Sequence, residues 1–278
     1  MKLITDTSTL FTPEQGKEMD LLVLPLNVAI NGNTYREFVD MTSEEFLKQV
    51  RAGAIPSSSQ PSVGGYIDAF TSTTEETLVI AMADGLSGTY QSVEGAKNSI
   101  DNNDHVVVFN SRTLCGPHRY MAQRAVELRD AGASFEEVVN KVNEIADNSI
   151  SFLIPSDYDF LKRGGRMTPL AATMGGLLKI VPVLTQTADG RKLEKVCTKR
   201  TFKKAAEEVG VVMEKFGVTG EGWMISVSHS DIRERVDEAI TVLSAKFPGV
   251  QTQVLELSPA FITQGGPSCI AIQAHKLV

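Results

Sequence analysis

Leu78-Val79-Ile80-Ala81-Met82-Ala83-Asp84-Gly85-Leu86-Ser87-Gly88-Thr89-Tyr90-Gln91-Ser92 decides the fold. Its first five residues are an unbroken apolar run rich in β-formers, which predicts a strand buried on both faces. A glycine-containing turn follows, and the pattern from Ser87 or Thr89 to about Asn98 predicts a helix. The helix start offers unpaired backbone N–H groups and the positive end of a dipole, to which Ser87 and Thr89 add neutral donors. The turn is therefore a candidate anion site. No Lys, Arg or His lies within 84–92, so an anion held there meets hydrogen bonds more than charge. The plainer alternative is that Ser87 only caps the helix.

Working outward, short apolar strands at 3–5, 21–24, 78–82, 106–109 and 151–154 alternate with amphipathic helices, the rhythm of a parallel sheet covered on both faces. Helix starts are marked by Thr42-Ser43-Glu44-Glu45, with Met41 and Phe46 placed as a hydrophobic staple, and by Ser134-Phe135-Glu136-Glu137. From about Pro155 the pattern changes to a loop, a small-residue helix over 167–178 and strands near 180–186 and 192–196, so a second domain is expected to begin there. Phe202, Ala205, Ala206, Val209, Val212 and Phe216 line one helix face, and Ile232, Val236, Ala239, Ile240 and Leu243 line another. Strands at 223–228 and 252–257 flank the latter helix. The stretch 57–65, Ser57-Ser58-Ser59-Gln60-Pro61-Ser62-Val63-Gly64-Gly65, is expected to be a polar loop.

Composition narrows the function classes. A net charge of -7 and 6% aromatic residues provide neither the phosphate footprint nor the stacking platform of a nucleic-acid binder. Cys115, Cys197 and Cys269 are odd in number and contain no C-x-x-C pair, which fits buried free thiols in a reducing compartment. His105, His118, His229 and His275 show no metal-ligand spacing. The N-terminus turns polar at Thr5-Asp6, which excludes a secretory apolar region, and no run reaches the roughly 20 apolar residues of a membrane span. A cytoplasmic location without integral membrane association is expected.

Three further motifs carry possible chemistry. Gly85-Leu86-Ser87-Gly88-Thr89 suggests a serine nucleophile, but the elbow of α/β hydrolases needs G-x-S-x-G and no feature nominates His118 or His229 as its base. Phe160-Leu161-Lys162-Arg163-Gly164-Gly165-Arg166 suggests a phosphate loop but matches no nucleotide fingerprint. It reads either as a solvated basic turn or as a face for an anion or acidic partner. Asp6, followed by three hydroxyl residues, lies at the carboxyl end of the first strand, where open α/β sheets collect ligands, although it also fits a turn cap. Ser58-Ser59-Gln60-Pro61-Ser62 adds further hydroxyls, with Pro61 holding the preceding residue extended.

Thr5-Asp6-Thr7-Ser8, Ser58 to Ser62, Leu86 to Ser92, Phe160 to Arg166, Gly176-Leu177-Leu178-Lys179-Ile180-Val181-Pro182-Val183-Leu184 and Lys195-Val196-Cys197-Thr198-Lys199-Arg200 occur in this order. Together they resemble the DegV family of bacterial fatty-acid-binding proteins, with its T-D-S, T-S-Q-P-S, L-S-G-T-Y-Q-S, L-K-R-G-G-R, G-x-L-L-x-I-K-P-I-L and K-V-R segments, over essentially the whole chain. The resemblance implies an α/β protein with an N-terminal parallel-sheet domain, 1–155, and a second α/β domain with a mixed sheet, 156–278, together one DegV-type unit. It further implies a non-catalytic carrier without a cofactor, which buries a long-chain fatty acid between or beneath its domains. A separate fatty acid kinase would phosphorylate the presented carboxylate to an acyl phosphate. On this mapping Ser58 and Ser87, with Ser59 and Gln264, hold the carboxylate, and Asp6 and Thr89 support them. Arg163, Arg166 and Arg200 face the kinase or stabilise phosphate.

The chain departs from the family at Gln264, where His is usual, at Asn110-Ser111 for Asp-Ser, and at Ser58 for Thr. Gln264 donates a hydrogen bond but carries neither a proton nor a positive charge, which bears on kinase coupling more than on binding. Burying about fifteen methylenes at ~0.8 kcal/mol each gives roughly 12 kcal/mol before ordering costs, against ~1.5–3 kcal/mol for each hydroxyl bond to a charged group. The tail would set affinity and the hydroxyls orientation. The alternative from another class is a lipid or ester hydrolase using Ser87.

Overall fold

The computed structural model describes residues 1–172 and 180–278. The chain divides into two units, Met1–Asp147 with Ser258–Ala260, and Asn148–Leu257 with Phe261–Val278. The first contains strands β1 (Lys2–Asp6), β2 (Leu22–Leu24), β3 (Asn27–Ile30), β4 (Asn33–Arg36), β5 (Ser57–Ser59), β6 (Thr77–Ala81) and β7 (Val106–Asn110). Its helices are α1 (Pro13–Glu18), α2 (Ser43–Arg51), α3 (Val63–Thr71), α4 (Thr89–Asn98), α5 (Cys115–Asp130) and α6 (Phe135–Asp147). A parallel sheet runs in the order β2-β1-β6-β7.

Every residue of β6 is buried, as its unbroken apolar run requires. Val79 and Ala81 pack with Ile4, Tyr66, Phe70 and Val93, and alternation turns Leu78 and Ile80 to the opposite face, where α5 lies. Both expected helix starts form, each as a capping box: Thr42 and Glu45 exchange bonds at the start of α2, with Met41 and Phe46 buried beside them, and Ser134 and Glu137 do so before α6.

The stretch expected to be a polar loop is ordered. Ser57–Ser59 forms β5, pairing antiparallel with β3 in a small sheet of order β4-β3-β5, and Ser62 caps α3. β3 and β4 join through Asn31 (φ 51°) and Gly32 (φ 80°), the left-handed pair that a two-residue hairpin turn requires.

The second unit comprises β8 (Ser149–Ile154), α7 (Tyr158–Gly164), α8 (Pro169–Ala172), β9 (Val181–Gln186), β10 (Leu193–Lys199), α9 (Phe202–Phe216), β11 (Trp223–His229), α10 (Arg233–Lys246), β12 (Gln251–Glu256), α11 (Pro259–Gly265), which begins in the first unit's 258–260 segment, and β13 (Ile270–Lys276). The mixed sheet has the order β10-β9-β8-β13-β11-β12, with β11 and β12 parallel and the other pairs antiparallel. Phe152, Ile154, Ile225, Val227, Ile270 and Ile272 form a core with α9 and α10 on one face. Several positions of opposite parity are polar, among them Ser151, Ser226, Ser228 and Gln273, and Gln273 donates to Ser151 at 2.8 Å.

The strand expected at 151–154 in the first sheet is thus β8 of the second, antiparallel to β13, and the division expected at 155/156 falls at 147/148. On α9, Met213 is buried and Phe216 lies 40% exposed, edge-on to Trp223, because the apolar stripe turns away at the last helical turn. Of the helix expected over 167–178, Met167 bridges Leu193 and α8 follows. Residues 173–179, including Met174 and the start of the Gly176–Leu184 motif, lie outside the described residues.

Candidate functional site

In the first sheet β1 is flanked by β2 on one side and β6 on the other, so the chain reverses its direction of travel across the sheet between β1 and β6. The crevice at the carboxyl ends of two such strands is where open α/β sheets bind ligands. Asp6 ends β1, and the connection 82–88 leaves β6 toward α4 beside it.

Asp6 is buried with both oxygens engaged. Oδ1 accepts from Ser8 N–H at 2.9 Å and Oδ2 from Met82 N–H at 3.0 Å. It therefore acts as a cap that ties the two strand ends together, the turn-cap role left open by its sequence. Behind it His118 of α5 is buried, its Nδ1 2.9 Å from the Ser8 hydroxyl and its Nε2 3.0 Å from Ile80 carbonyl oxygen and 3.2 Å from Thr5 Oγ1. A neutral ring satisfies this set, with Nε2–H donating to Ile80 and Nδ1 accepting from Ser8. Burial lowers its pKa against the opposing pull of Asp6.

Ser87 is half-buried on this edge. Its hydroxyl lies 2.8 Å from that of buried Thr89 and accepts from Thr89 N–H at 3.2 Å. α4 starts at Thr89, and Gly88 before it has no side chain to cap with, so Ser87 works two residues ahead, as serine does in local turns. Gln60 comes to this turn as well: its amide oxygen lies 3.2 Å from where a Cβ on Gly88 would stand. Asn27 Nδ2 holds the Gln60 carbonyl at 2.9 Å. Along β5 Ser58 is half-buried opposite Val28, while Ser57 and Ser59 on the other face are exposed. The first unit therefore gathers Asp6, Ser87, Thr89 and the β5 end that carries Ser58.

Sequence reasoning missed Glu37. It is buried, its Oε1 accepts from the Thr7 hydroxyl, and its Oε2 accepts from Ala260 N–H at 2.8 Å. Burial pushes its pKa up to about 7, opposed by these hydrogen bonds and reinforced by Asp6. Nothing in Tyr35-Arg36-Glu37-Phe38 distinguishes it from an exposed turn residue, since its partners are remote in sequence.

In the second unit Lys162 and Arg163 are exposed on the last turn of α7, and the Arg163 guanidinium stands 4.6 Å from the centre of the Phe160 ring. Arg166 donates to Gly164 carbonyl oxygen, and Lys192 Nζ to that of Gly165 at 3.0 Å. Gln264 on α11 packs so closely on Gly164 that a Cβ there would collide with its amide. Arg200 is exposed between β10 and the Thr201 cap of α9. Gln264 of α11 thus meets the Arg163–Arg166 turn at Gly164, whereas Ser58, Ser59 and Ser87 belong to the other unit.

The hydrolase alternative is not favoured, because His118 is committed to Ser8, Thr5 and Ile80 and the partner of Ser87 is Thr89. Among the described residues no cluster of His, Cys, Asp or Glu is arranged to hold a metal ion, and no helix is long and apolar enough to cross a membrane.

A family model described as an uncharacterised protein of the DegV family matches residues 1–277. A DegV domain-containing protein of Staphylococcus aureus (strain N315) is 29% identical over 277 residues, covering 99% of this chain and 98% of that one. Among solved structures, a DegV family protein from Thermus thermophilus, described for fatty acid binding, superposes with a TM-score of 0.87 at 27% identity over 99% of both chains. A Thermotoga maritima protein described as revealing a fatty acid binding function superposes with a TM-score of 0.82 at 26% identity, again over 99% of both.

Proposed function

The chain belongs to the DegV family, and on that premise we propose that it binds a long-chain fatty acid, with the carboxylate held by Ser58 and Ser87, and presents it to a fatty acid kinase for conversion to an acyl phosphate. The observation that supports this most is the placement of Ser87 at the β1–β6 switch point, half-buried at a helix start, with the Gln60 side chain of the β5 segment against its turn. Neutral hydroxyl donors orient a carboxylate without neutralising it, so its oxygen stays nucleophilic toward a phosphoryl group. Thr89 positions the Ser87 hydroxyl, and Asp6 fixes the strand ends beneath it. Arg163, Arg166 and Arg200 form the partner-facing surface of the second unit, with Gln264 set against the Arg163–Arg166 turn. No group of this chain acts as a catalyst, and the working compartment is the cytoplasm.

Denaturing mass spectrometry of the purified protein tests the binding step. A stoichiometric acid of roughly fourteen to twenty carbons is expected, a size suited to an enclosed apolar site. An empty protein that takes up no added fatty acid would sink the proposal. For presentation, ATP-dependent formation of acyl phosphate by a kinase catalytic subunit should require this chain and fail with Arg163→Ala/Arg200→Ala.

A further inference from the structure

Glu37 joins the Thr7 turn after β1 to the 258–260 segment that begins α11, with Ala260 lying 223 residues beyond Glu37 in the chain. Thr7 Oγ1 also accepts from Leu26 N–H at 2.9 Å. The next residue back is Asp6, whose carboxylate holds Met82, the first residue of the connection that carries Ser87. From Glu37 to the Ser87 turn the coupling thus runs through two carboxylates and one residue step.

The groups around Glu37 define what its charge does. From β1 it faces Asp6, a like charge; from the 258–260 segment it meets the Ala260 N–H and the Ser258 hydroxyl. On its own turn Arg36 and Asp40 engage each other at 2.8 Å on the surface. His118 of α5 approaches Asp6, and burial lowers its pKa against the pull of that carboxylate. No cation among these groups offsets an ionised Glu37, and its titration falls near neutrality.

Ionised, Glu37 accepts the Thr7 hydroxyl proton. Neutral, it carries its own proton on Oε1 and donates it to Thr7 Oγ1, which releases the Thr7 proton from this pair, while Ala260 N–H bonds Oε2 in both states. We propose that Glu37 is a proton-sensitive positioning residue of the head-group site: it fixes the β1 turn to the 258–260 segment, and its negative charge weakens binding of an anionic head group at the β1–β6 edge. This rests on the assignment of that edge as a carboxylate site. The consequence is a carrier that holds its acid more tightly as the surroundings acidify and takes up protons on loading, by reciprocal linkage.

A hexadecyl sulfonate probe isolates the protein's titration, because its own charge does not change with pH. The dissociation constant of the wild-type protein is expected to rise roughly threefold to tenfold from about pH 6 to about pH 8.5. Glu37→Gln, whose amide mimics the neutral carboxyl, is expected to bind at the tight, pH-independent value. A wild-type constant that does not change with pH, or a Glu37→Gln slope equal to that of wild type, overturns the proposal and leaves the carboxylate site standing. Failure to bind either the sulfonate or palmitate at any pH overturns both. Should Glu37→Gln not fold, wild-type calorimetry in buffers of different ionisation enthalpy reads the same linkage. Uptake of a fraction of a proton near pH 7 supports the proposal, and no uptake overturns it.

Discussion

The β1–β6 edge of the first unit and the turn after α7 in the second both place polar side chains around a glycine, with opposite electrostatics. At the edge the Asp6 and Glu37 carboxylates are buried and their oxygens are already bonded, while the Ser58 and Ser87 hydroxyls stay partly exposed. At the turn Lys162 and Arg163 point their charge at solvent, with Arg163 stacked on Phe160. A neutral, half-buried donor set discriminates an acid by geometry, while exposed guanidinium groups attract anions at long range and are screened by salt. Under the proposed function this contrast divides the tasks: orientation of a head group at the first place, recognition of a charged partner at the second.

The largest effect should come from removing the edge. Each hydroxyl bond to a charged head group is worth ~1.5–3 kcal/mol, so Ser58→Ala/Ser87→Ala should weaken fatty acid binding by about a hundredfold or more. A fatty alcohol of equal length should be little affected. Equal losses for acid and alcohol in a displacement titration would mean that the serines support the fold and not the carboxylate.

The next effect concerns stability. The pKa of Glu37 is raised from 4.5 to about 7 in the folded protein, so the folded state binds a proton that the unfolded state has lost between those values. Its contribution is fully present below about pH 4.5 and is lost as pH rises through about 7. That loss is on the order of 3 kcal/mol. Urea unfolding should show this decline in wild type and its removal in Glu37→Gln; parallel pH profiles would deny Glu37 the role.

Smaller still is Gly164→Ala. The new methyl must push the end of the Gln264 side chain aside, at a cost of about 1 kcal/mol or less because that end is flexible. Thermal denaturation should register the small cost, and acyl phosphate formation should drop more than fatty acid affinity does. The smallest effect is expected from Arg163→Ala/Arg200→Ala on ligand binding. Both side chains are exposed, and the affinity for fatty acid should stay within about twofold. A large loss there would erase the contrast between the two places.

Much of the architecture was legible in local pattern. The apolar run of β6, the Thr42 and Ser134 boxes and the α9 and α10 stripes are decided by neighbours within a few turns, and they form as the residues dictate. The Asn31-Gly32 hairpin was equally local and went unread, although an Asn-Gly pair is a strong turn signal. Of the site, the hydroxyls at Ser58 and Ser87 were visible as residue types. Ser58 and Ser59 could not be told apart, because β5 pairing is what turns one inward and the other outward.

Local sequence pattern settled most of the segments that become strands and helices and which side chains carry the polar chemistry, since periodicity and capping act between near neighbours; β5 formed against that pattern through its pairing with β3. Tertiary structure alone decided which sheet each strand joins and which polar groups meet. Ser149–Ile154 looks like one more strand of the first sheet until β13, from the end of the chain, claims it. Glu37 looks like a surface residue until Thr7 and Ala260 enclose it. Both outcomes depend on hydrogen bonds across more than a hundred residues, and such bonds leave no periodic trace at either end.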